Sequence, residues 1–303
     1  MTTYTAADAA RLAGVDLDLA ARLWLAMGFA RDGDDERRYS DDDVEALRYA
    51  GELIRTGSVE PDLLVQLTRT MASSIARIAD AQLEVAVERA KRQDPGRGVL
   101  VDRRVVEMTP WLLGYMWRKH AEASFGRALE AVASGEELSL AIGFADLVGF
   151  TALSQELPEH ELAALVTRFE SLAHETVVLQ GGRVVKMIGD EVMFAVDDVR
   201  AGVEIALRLA DAYSDDDELQ DVRVALSCGA VLQLQGDLYG PPVNLASRIV
   251  GIARPRSVVV SEGVHELLAD DAEYEWRSLR PRTFKGLGRV PVWRVRRAGR
   301  SGV

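Results

Sequence analysis

Apolar residues in the first 136 positions recur at helical spacing, without the alternation that is typical of strands. Leu19 and Leu23, for example, are four residues apart. Thr5 and Ser40 each precede such a segment and are followed by acidic residues, which is the pattern of a helix N-cap. The polar stretch 31–38 interrupts the periodicity. Residues 1 to about 55 are therefore predicted to form short helices.

Residues 56–136 continue with helical periodicity only. Leu63, Leu64, Leu67 and Met71 recur at spacings of three and four, and the segment 93–98 breaks the pattern with Asp, Pro and two Gly. Pro110 is predicted to open a further helix, because proline suits the first helical turn. The apolar faces of these helices fit either a partner helix or an internal helical core.

The spacing of apolar residues changes from Leu138 onward, where short apolar runs alternate with helical segments. The predicted order is strand Leu138–Phe144, helix Glu159–Leu179, a hairpin of strands Arg183–Ile188 and Glu191–Val196, helix Val199–Tyr213, strands Val222–Ser227 and Ala230–Gln235, and a helix near Val243–Ile252. Strand-rich sequence continues to about Val295. The order β-α-β-β-α-β predicts an α+β, ferredoxin-like sheet with helices on one face, preceded by an all-α region.

Composition narrows the class of protein. The chain has 303 residues, 48% of them apolar, and a formal net charge of −12, which argues against general attraction to nucleic acid or anionic lipid. Its one cysteine, Cys228, cannot form an internal disulfide, as expected for a reducing cytosol. No run of about 18 apolar residues and no secretion signal is found in the sequence. We expect a soluble, cytoplasmic protein without a transmembrane segment.

Two aspartates stand where predicted strands end. Asp146 lies in the segment FADLVGFT after the first strand, and Asp190 lies in KMIGDE at the hairpin tip. Considered alone, each aspartate has another interpretation: Asp146 as a loop cap, and Asp190 as a hairpin-turn residue. Hard divalent cations bind a few carboxylate oxygens and leave other positions to phosphates. The pair therefore predicts metal-assisted chemistry on a nucleoside triphosphate.

Further polar residues accompany the two aspartates. Gly149 allows a close turn before Phe150 and Thr151, whose N–H groups would face a triphosphate at a helix start. Lys186 interrupts an apolar strand, which an exposed strand face would also accommodate. Asn244 and Arg248 are four residues apart on a predicted helix and therefore share one face. Two interpretations fit this pair: an ordinary surface pair, or two groups that bind an anionic transition state.

These motifs, in this order across residues 138–297, resemble the class III adenylyl cyclase catalytic domain. The resemblance implies that Asp146, Leu147 and Asp190 occupy the positions that bind two Mg²⁺ or Mn²⁺ ions per site. It also implies that Lys186 and Asp237 read the adenine ring of ATP, since lysine donates to N1 while aspartate accepts from the N6 amine. Guanine presents the reverse pattern at this edge.

The same resemblance assigns the remaining candidate residues. It implies that Asn244 positions the ribose, that Arg248 stabilises the transition state, and that the other substrate-binding positions are Arg223, Lys285, Phe150 and Thr151. After Arg223 the family usually has Gly-Ile-His-Ser/Thr-Gly, whereas this chain has Ala225-Leu226-Ser227-Cys228-Gly229. The missing histidine binds neither metal nor base, so this difference bears on local strand packing rather than on activity.

In this family the active site lies at a dimer interface. The resemblance implies that the metal aspartates and Arg223 come from one protomer, and that the partner supplies Lys186, Asp237, Asn244, Arg248 and Lys285. Because one chain carries both sets, a head-to-tail homodimer with two shared sites is expected.

The first 55 residues resemble the start of a MerR-type winged helix, which makes DNA binding a second hypothesis. Residues 1–60 contain 7 Lys+Arg and 13 Asp+Glu, a net charge of 7 − 13 = −6. Because phosphate contacts supply most non-specific DNA affinity, this charge argues against a DNA-binding surface. A role in dimer contacts and regulation is favoured.

The combination of the two regions resembles soluble actinobacterial cyclases in which a helical N-terminal domain controls the catalytic dimer. Some of these respond to pH or to fatty acids, so a proton or a small ligand is the expected signal. His120 is the one histidine in this half. The predicted division is a regulatory domain at 1–136, a catalytic domain at 137–297 and a short tail at 298–303.

We therefore expect an adenylate cyclase that makes cyclic AMP and pyrophosphate. One alternative is a cyclase for GTP or a pyrimidine nucleotide. The other is a catalytically weak, cyclase-like regulator with a DNA-binding-like N-terminus.

Overall fold

The computed structural model describes residues 2–29, 38–93, 103–134, 137–214 and 221–299. The chain divides into two compact units, Met1–Phe125 and Gly126–Val303. The predicted breaks at 31–38 and 93–98 lie largely outside the described residues, and so does most of the predicted tail. The predicted boundary at 136 also falls there, so the domain division stays a prediction.

The first unit consists of helices. They are α1 (Ala6–Ala13), α2 (Leu17–Ala26), α3 (Asp41–Arg55), α4 (Pro61–Gln93) and the greater part of α5 (Arg103–Ser134). Both predicted caps are confirmed, since Thr5 accepts a hydrogen bond from the Asp8 N–H and Ser40 forms a capping box with Asp43. Leu23, Trp24 and Leu47 lie in a small buried core shared by the short helices.

The prediction that Pro110 opens a helix is wrong. α5 begins at Arg103 and continues through Pro110. The ring removes one backbone hydrogen bond, to the carbonyl four residues earlier, and the turns on either side keep theirs. Along α4 the predicted apolar positions differ in burial, because Leu64 is buried whereas Leu63 and Met71 are exposed.

A mixed, seven-stranded sheet forms the second unit, in the order β2-β3-β1-β4-β7-β11-β8. Its strands are β1 (Ser139–Leu147), β2 (Arg183–Ile188), β3 (Glu191–Val196), β4 (Val222–Ala230), β7 (Ser257–Ser261), β8 (Tyr274–Ser278) and β11 (Val292–Arg297), while β5 (Leu232–Leu234) pairs with β6 (Asp237–Tyr239) and β9 (Arg282–Phe284) pairs with β10 (Gly288–Val290). The order β2-β3-β1-β4 has the ferredoxin-like connectivity that the sequence predicts. β4 and β7 are parallel, and the other neighbours in the large sheet are antiparallel.

Helices cover both faces of this sheet, which corrects the expectation of one face. The helices are α6 (Phe150–Glu156), α7 (Glu159–Leu179), α8 (Val199–Ser214), α9 (Pro241–Val250) and α10 (Glu262–Leu268). Phe169 of α7 and Ile205 of α8 are buried with Phe194 in one core. Ile249 of α9 is buried with Ile142 and Phe144 in a second core. Successive residues of β1 therefore point to opposite cores, as the alternation of a buried strand requires.

The strand predicted at Ala230–Gln235 is divided in the structure. β4 continues to Ala230, and a separate hairpin of β5 and β6 follows, with Asp237 in its second strand. Ser227, at the place of the family's histidine, is buried and lies opposite Ile142 of β1. The Ala225–Gly229 difference therefore does not interrupt β4. Over the residues described, no helix is both long and apolar enough to span a membrane.

Candidate active site

Three charged residues lie side by side near the ends of three neighbouring strands. Asp146 on β1 is opposite Glu191 on β3 and opposite Arg223 on β4. The Asp146 residue is only 9% exposed, and its Oδ2 forms an ion pair with the Arg223 Nε. Pairing of strands that are distant in sequence thus places a buried carboxylate between another carboxylate and a guanidinium.

The carboxylates in this row hold their protons more tightly than usual. Burial raises the pKa of Asp146, Arg223 opposes the rise, and Asp190 adds to it. Burial, with the charges of Asp146 and Asp190, raises the pKa of Glu191 to about 7. Three acidic groups beside one guanidinium leave local negative charge that a cation would offset.

This donor set fits a divalent metal. The part of the chain that the structure describes does not by itself complete a metal site, because it holds no group of three or more His, Cys, Asp or Glu side chains that could bind a metal ion. Two aspartates suit a hard cation that takes its other ligands from substrate phosphates and water. Asp146, Asp190 and the backbone of Leu147 are the positions that would hold it.

The hairpin tip is tied to the end of β1. The Leu147 N–H donates to the Asp190 carbonyl at 3.1 Å, which fixes the turn beside the strand end. Gly149 then has φ of 82° and precedes α6, a conformation that glycine adopts without strain. Phe150 is half-buried against the core, and Thr151 is exposed at the start of the helix.

Lys186 and Asp237 form a second charged pair. The Lys186 Nζ lies 2.5 Å from the Asp237 Oδ2, and the other carboxylate oxygen accepts a hydrogen bond from the Leu238 N–H at 2.8 Å. A register shift between Val184 and Lys186 interrupts the pairing of β2 with β3 just before the lysine. The pair keeps a donor and an acceptor together, partly exposed to solvent.

Asn244 and Arg248 lie on the exposed face of α9, as the sequence predicts, while Ala246 and Ile249 are buried on the other face. The Arg248 Nη1 donates to the backbone carbonyl of Lys285. This bond joins α9 to the loop after β9 and brings a guanidinium beside the lysine that the resemblance assigns to phosphate.

The structure thus brings the predicted residues together in three groups. One contains Asp146, Asp190 and Arg223, the second contains Lys186 and Asp237, and the third contains Asn244, Arg248 and Lys285. No sequence motif points to Glu191, although the residue follows Asp190 directly. Only the strand pairing, which places it opposite Asp146, identifies it as part of the site.

Comparison with solved structures identifies the fold. The catalytic core of a rhodopsin-guanylyl cyclase with converted specificity, solved with ATPαS, has a TM-score of 0.50 and 21% sequence identity to this chain. The similarity covers 53% of this chain and 96% of the other. The second unit therefore has the fold of a class III nucleotide cyclase catalytic domain.

Sequence comparison gives the family. The model for the adenylate and guanylate cyclase catalytic domain matches residues 132–296. An adenylate cyclase of Streptomyces coelicolor is 38% identical over 275 residues, covering 88% of this chain and 71% of that protein. A pH-sensitive adenylate cyclase of Mycobacterium tuberculosis is 32% identical over 313 residues, covering 95% and 77%. The chain belongs to the adenylate and guanylate cyclase catalytic domain family, whose members use divalent metal ions and act as dimers.

Proposed function

We propose that this chain is an adenylate cyclase that converts ATP to 3′,5′-cyclic AMP and pyrophosphate. The observation that carries the choice of ATP is the ion pair between Lys186 and Asp237. The two side chains offer one donor and one acceptor side by side, which matches N1 and the N6 amine of adenine. Guanine has an N1–H donor and a carbonyl acceptor at these positions, so GTP in the same pose would place a donor against Lys186 and an acceptor against Asp237.

Two Mg²⁺ or Mn²⁺ ions per site fit the carboxylates Asp146 and Asp190. Such ions, when bound, lower the pKa of an attacking hydroxyl and offset the charge of the triphosphate. Asp146 is held in place for this role by the Arg223 side chain. Burial raises the pKa of Asp146 because it destabilises the charged carboxylate, and a cation bound beside it would stabilise that charged form.

In the proposed reaction the ribose 3′-hydroxyl attacks the α-phosphate in line, a new O–P bond forms, and the bond to the leaving pyrophosphate breaks. The hydroxyl proton passes to Asp146 or to water. Asn244 positions the ribose, and Arg248 donates to the charge that develops at the α-phosphate. Lys285, Arg223 and the N–H groups of Phe150 and Thr151 bind phosphate oxygens.

The proposed enzyme is a cytoplasmic homodimer with two shared sites. The adenylate cyclases of Streptomyces coelicolor and Mycobacterium tuberculosis match this chain beyond its catalytic domain, which supports a shared N-terminal region in these proteins. Regulation by a proton or a small ligand at those helices is part of the proposal, because one of these relatives is named for its sensitivity to pH.

A nucleotide panel tests this function. Full-length protein is incubated with ATP, GTP, CTP or UTP and either Mg²⁺ or Mn²⁺, across a range of pH, and cyclic products are separated by chromatography. We expect cyclic AMP as the main product. Preferential turnover of GTP or a pyrimidine nucleotide would support the alternative cyclase, and no cyclic product under any condition would support the cyclase-like regulator.

A further inference from the structure

The end of the second unit is strongly basic in an otherwise acidic chain. Residues 277–299 contain seven arginines and one lysine, and no aspartate or glutamate. The whole chain has a net charge of −12. Because a folded protein usually mixes both signs on its surface, a segment of one sign in a chain of the other points to a local binding function.

Arginines of this segment surround a cavity of about 250 Å³. The cavity is lined by four arginines of this segment, Arg277, Arg280, Arg282 and Arg294. Arg254, from the loop before β7, is a fifth. All five side chains belong to exposed residues, whereas Val259 and Val292 at the same cavity are buried. The cavity therefore combines an apolar floor with a rim of guanidinium groups.

Strand pairing sets two of these arginines against each other. Arg294 on β11 lies directly opposite Arg277 on β8. Two residues further along, Arg296 lies opposite Glu275, and the Arg296 Nη2 is 2.5 Å from the Glu275 Oε2. Like charges at directly opposite positions destabilise a sheet, whereas opposite charges stabilise it. The fold thus keeps an unfavourable pair beside a favourable one.

Carboxylates neutralise other arginines of this unit but not those of the cavity. Arg200 pairs with Asp271, Arg256 with Asp221, and Arg297 with both Glu204 and Asp211. Within the described ranges, none of the five cavity arginines has an ion pair with an acidic side chain. An anion from outside the unit would supply the missing counter-charge and relieve the repulsion between Arg277 and Arg294.

We propose that this cavity is a second ligand site, which binds a small phosphate-bearing anion. Arginine presents a planar fork of donors that matches phosphate oxygens, and the apolar floor accepts a flat apolar part of the same molecule. No residue assigned to the cyclase reaction lines the cavity. The site is therefore separate from the one that would hold ATP.

Calorimetric titration of the full-length protein with inorganic tripolyphosphate, in the presence of EDTA, tests the site. The double variant Arg277→Gln/Arg294→Gln should bind at least about tenfold more weakly, because two charge-assisted hydrogen bonds are lost. Arg256→Gln, which removes the same type of charge from an ion-paired surface position, should bind as the unchanged protein does. Arg248→Ala, which alters the candidate active site, should leave the binding that depends on Arg277 and Arg294 unchanged.

Several results would overturn the proposal. They are the absence of binding by the unchanged protein, an equal loss in Arg256→Gln, and a loss confined to Arg248→Ala. Sedimentation with vesicles containing phosphatidic acid distinguishes a lipid headgroup from a soluble ligand, and binding to vesicles alone would also contradict a small-molecule site. If the double variant does not fold, Arg280→Gln in the exposed loop after β8 replaces it, with an expected loss of about threefold or more.

Discussion

Lys186 and Asp237 are 51 positions apart in sequence and meet through their side chains at 2.5 Å. Their side chains remain 39% and 27% exposed. An ion pair that solvent reaches contributes little to folding stability, because water screens it and ordering two side chains costs entropy. A role in substrate recognition explains the pair better than a role in folding does.

At this scale, Lys186→Met and Asp237→Ala should each reduce the preference for ATP over GTP, measured as the ratio of kcat/KM, by about 10- to 100-fold. The loss follows because one edge group of adenine is left without its partner. Thermal unfolding midpoints should change by only about 2 °C or less.

The matched control for this pair is Arg256→Met, which breaks the ion pair of Arg256 with Asp221 at the surface. It should leave nucleotide preference unchanged. Unaltered selectivity in both site variants would remove the main support for ATP as the substrate.

At the scale of elements, β1 depends on a glycine. Gly143 lies opposite Phe194 of β3, and the aromatic ring covers it so closely that an added Cβ would lie 2.0 Å from the Phe194 Cζ. Phe194 is fully buried, so its ring has no open space to enter. The packing of this part of the sheet therefore leaves no room for a side chain at position 143.

Gly143→Ala should lower the free energy of unfolding by about 1–3 kcal/mol or more, because the inserted methyl group overpacks the core. Chemical denaturation measures this. Gly126→Ala in α5 is the control, since an added Cβ there meets no atom within 4 Å, and it should stabilise by about 0.5–1 kcal/mol. A partial rescue of Gly143→Ala by Phe194→Leu is expected, and equal stability of the two Ala variants would contradict the packing argument.

α8 is joined to two strands at the sheet edge through Glu204. Its carboxylate accepts hydrogen bonds from Tyr274 on β8 at 2.9 Å and from Arg297 on β11 at 2.8 Å. Burial alone would raise the pKa of Glu204, but the bonds from Arg297 and Tyr274 outweigh it, and the pKa lies below its ordinary value of 4.5. The charged form is therefore the one that stabilises the fold.

Because this pKa is lowered on folding, the stabilisation is complete above pH 4.5 and is lost as the pH falls through the folded-state value. Glu204→Gln should consequently unfold more easily at neutral pH and show a weaker loss of stability on acidification. Urea denaturation at several pH values measures both effects. Glu170→Gln, at an exposed position of α7, should retain the acid dependence, and identical pH curves for the two variants would exclude this role of Glu204.

Elements set by local signals were predictable from the sequence. The bounds of α7, β2 and β3 agree with the predictions, because apolar spacing and the Gly189-Asp190 turn act within a few residues. The side of the sheet covered by α9 was not predictable, since periodicity identifies an apolar face but not the surface on which it packs. The contact of Asp146 with Arg223 depends on strand order, which is a non-local property.

At the scale of the whole molecule, one chain carries every residue that the proposed site requires, but in separate groups. Asp146 and Arg223 are paired within the chain, and Lys186 and Asp237 are paired within the chain. Members of this family act as dimers. In a two-fold symmetric dimer, each site would take one group of residues from each protomer, and the dimer would contain two complete sites.

Mixing of inactive variants tests this arrangement. Asp146→Ala lacks a carboxylate that is proposed to bind metal, and Asn244→Ala lacks the amide that is proposed to position the ribose, so each homodimer should be inactive. A heterodimer places both defects in one site and leaves the other intact. Equal mixing with free subunit exchange should therefore restore about 25% of the activity of the unchanged enzyme, because half of the dimers have one competent site of two.

A second mixture serves as the control. Asp146→Ala and Asp190→Ala affect the same group of residues, so their heterodimer carries one defect in each site and should stay inactive. Differently tagged subunits confirm that heterodimers form in both mixtures. Restored activity in the first mixture alone requires a site shared between protomers, because no single chain in it is complete. If heterodimers form but neither mixture shows cyclase activity, each site is built within one chain.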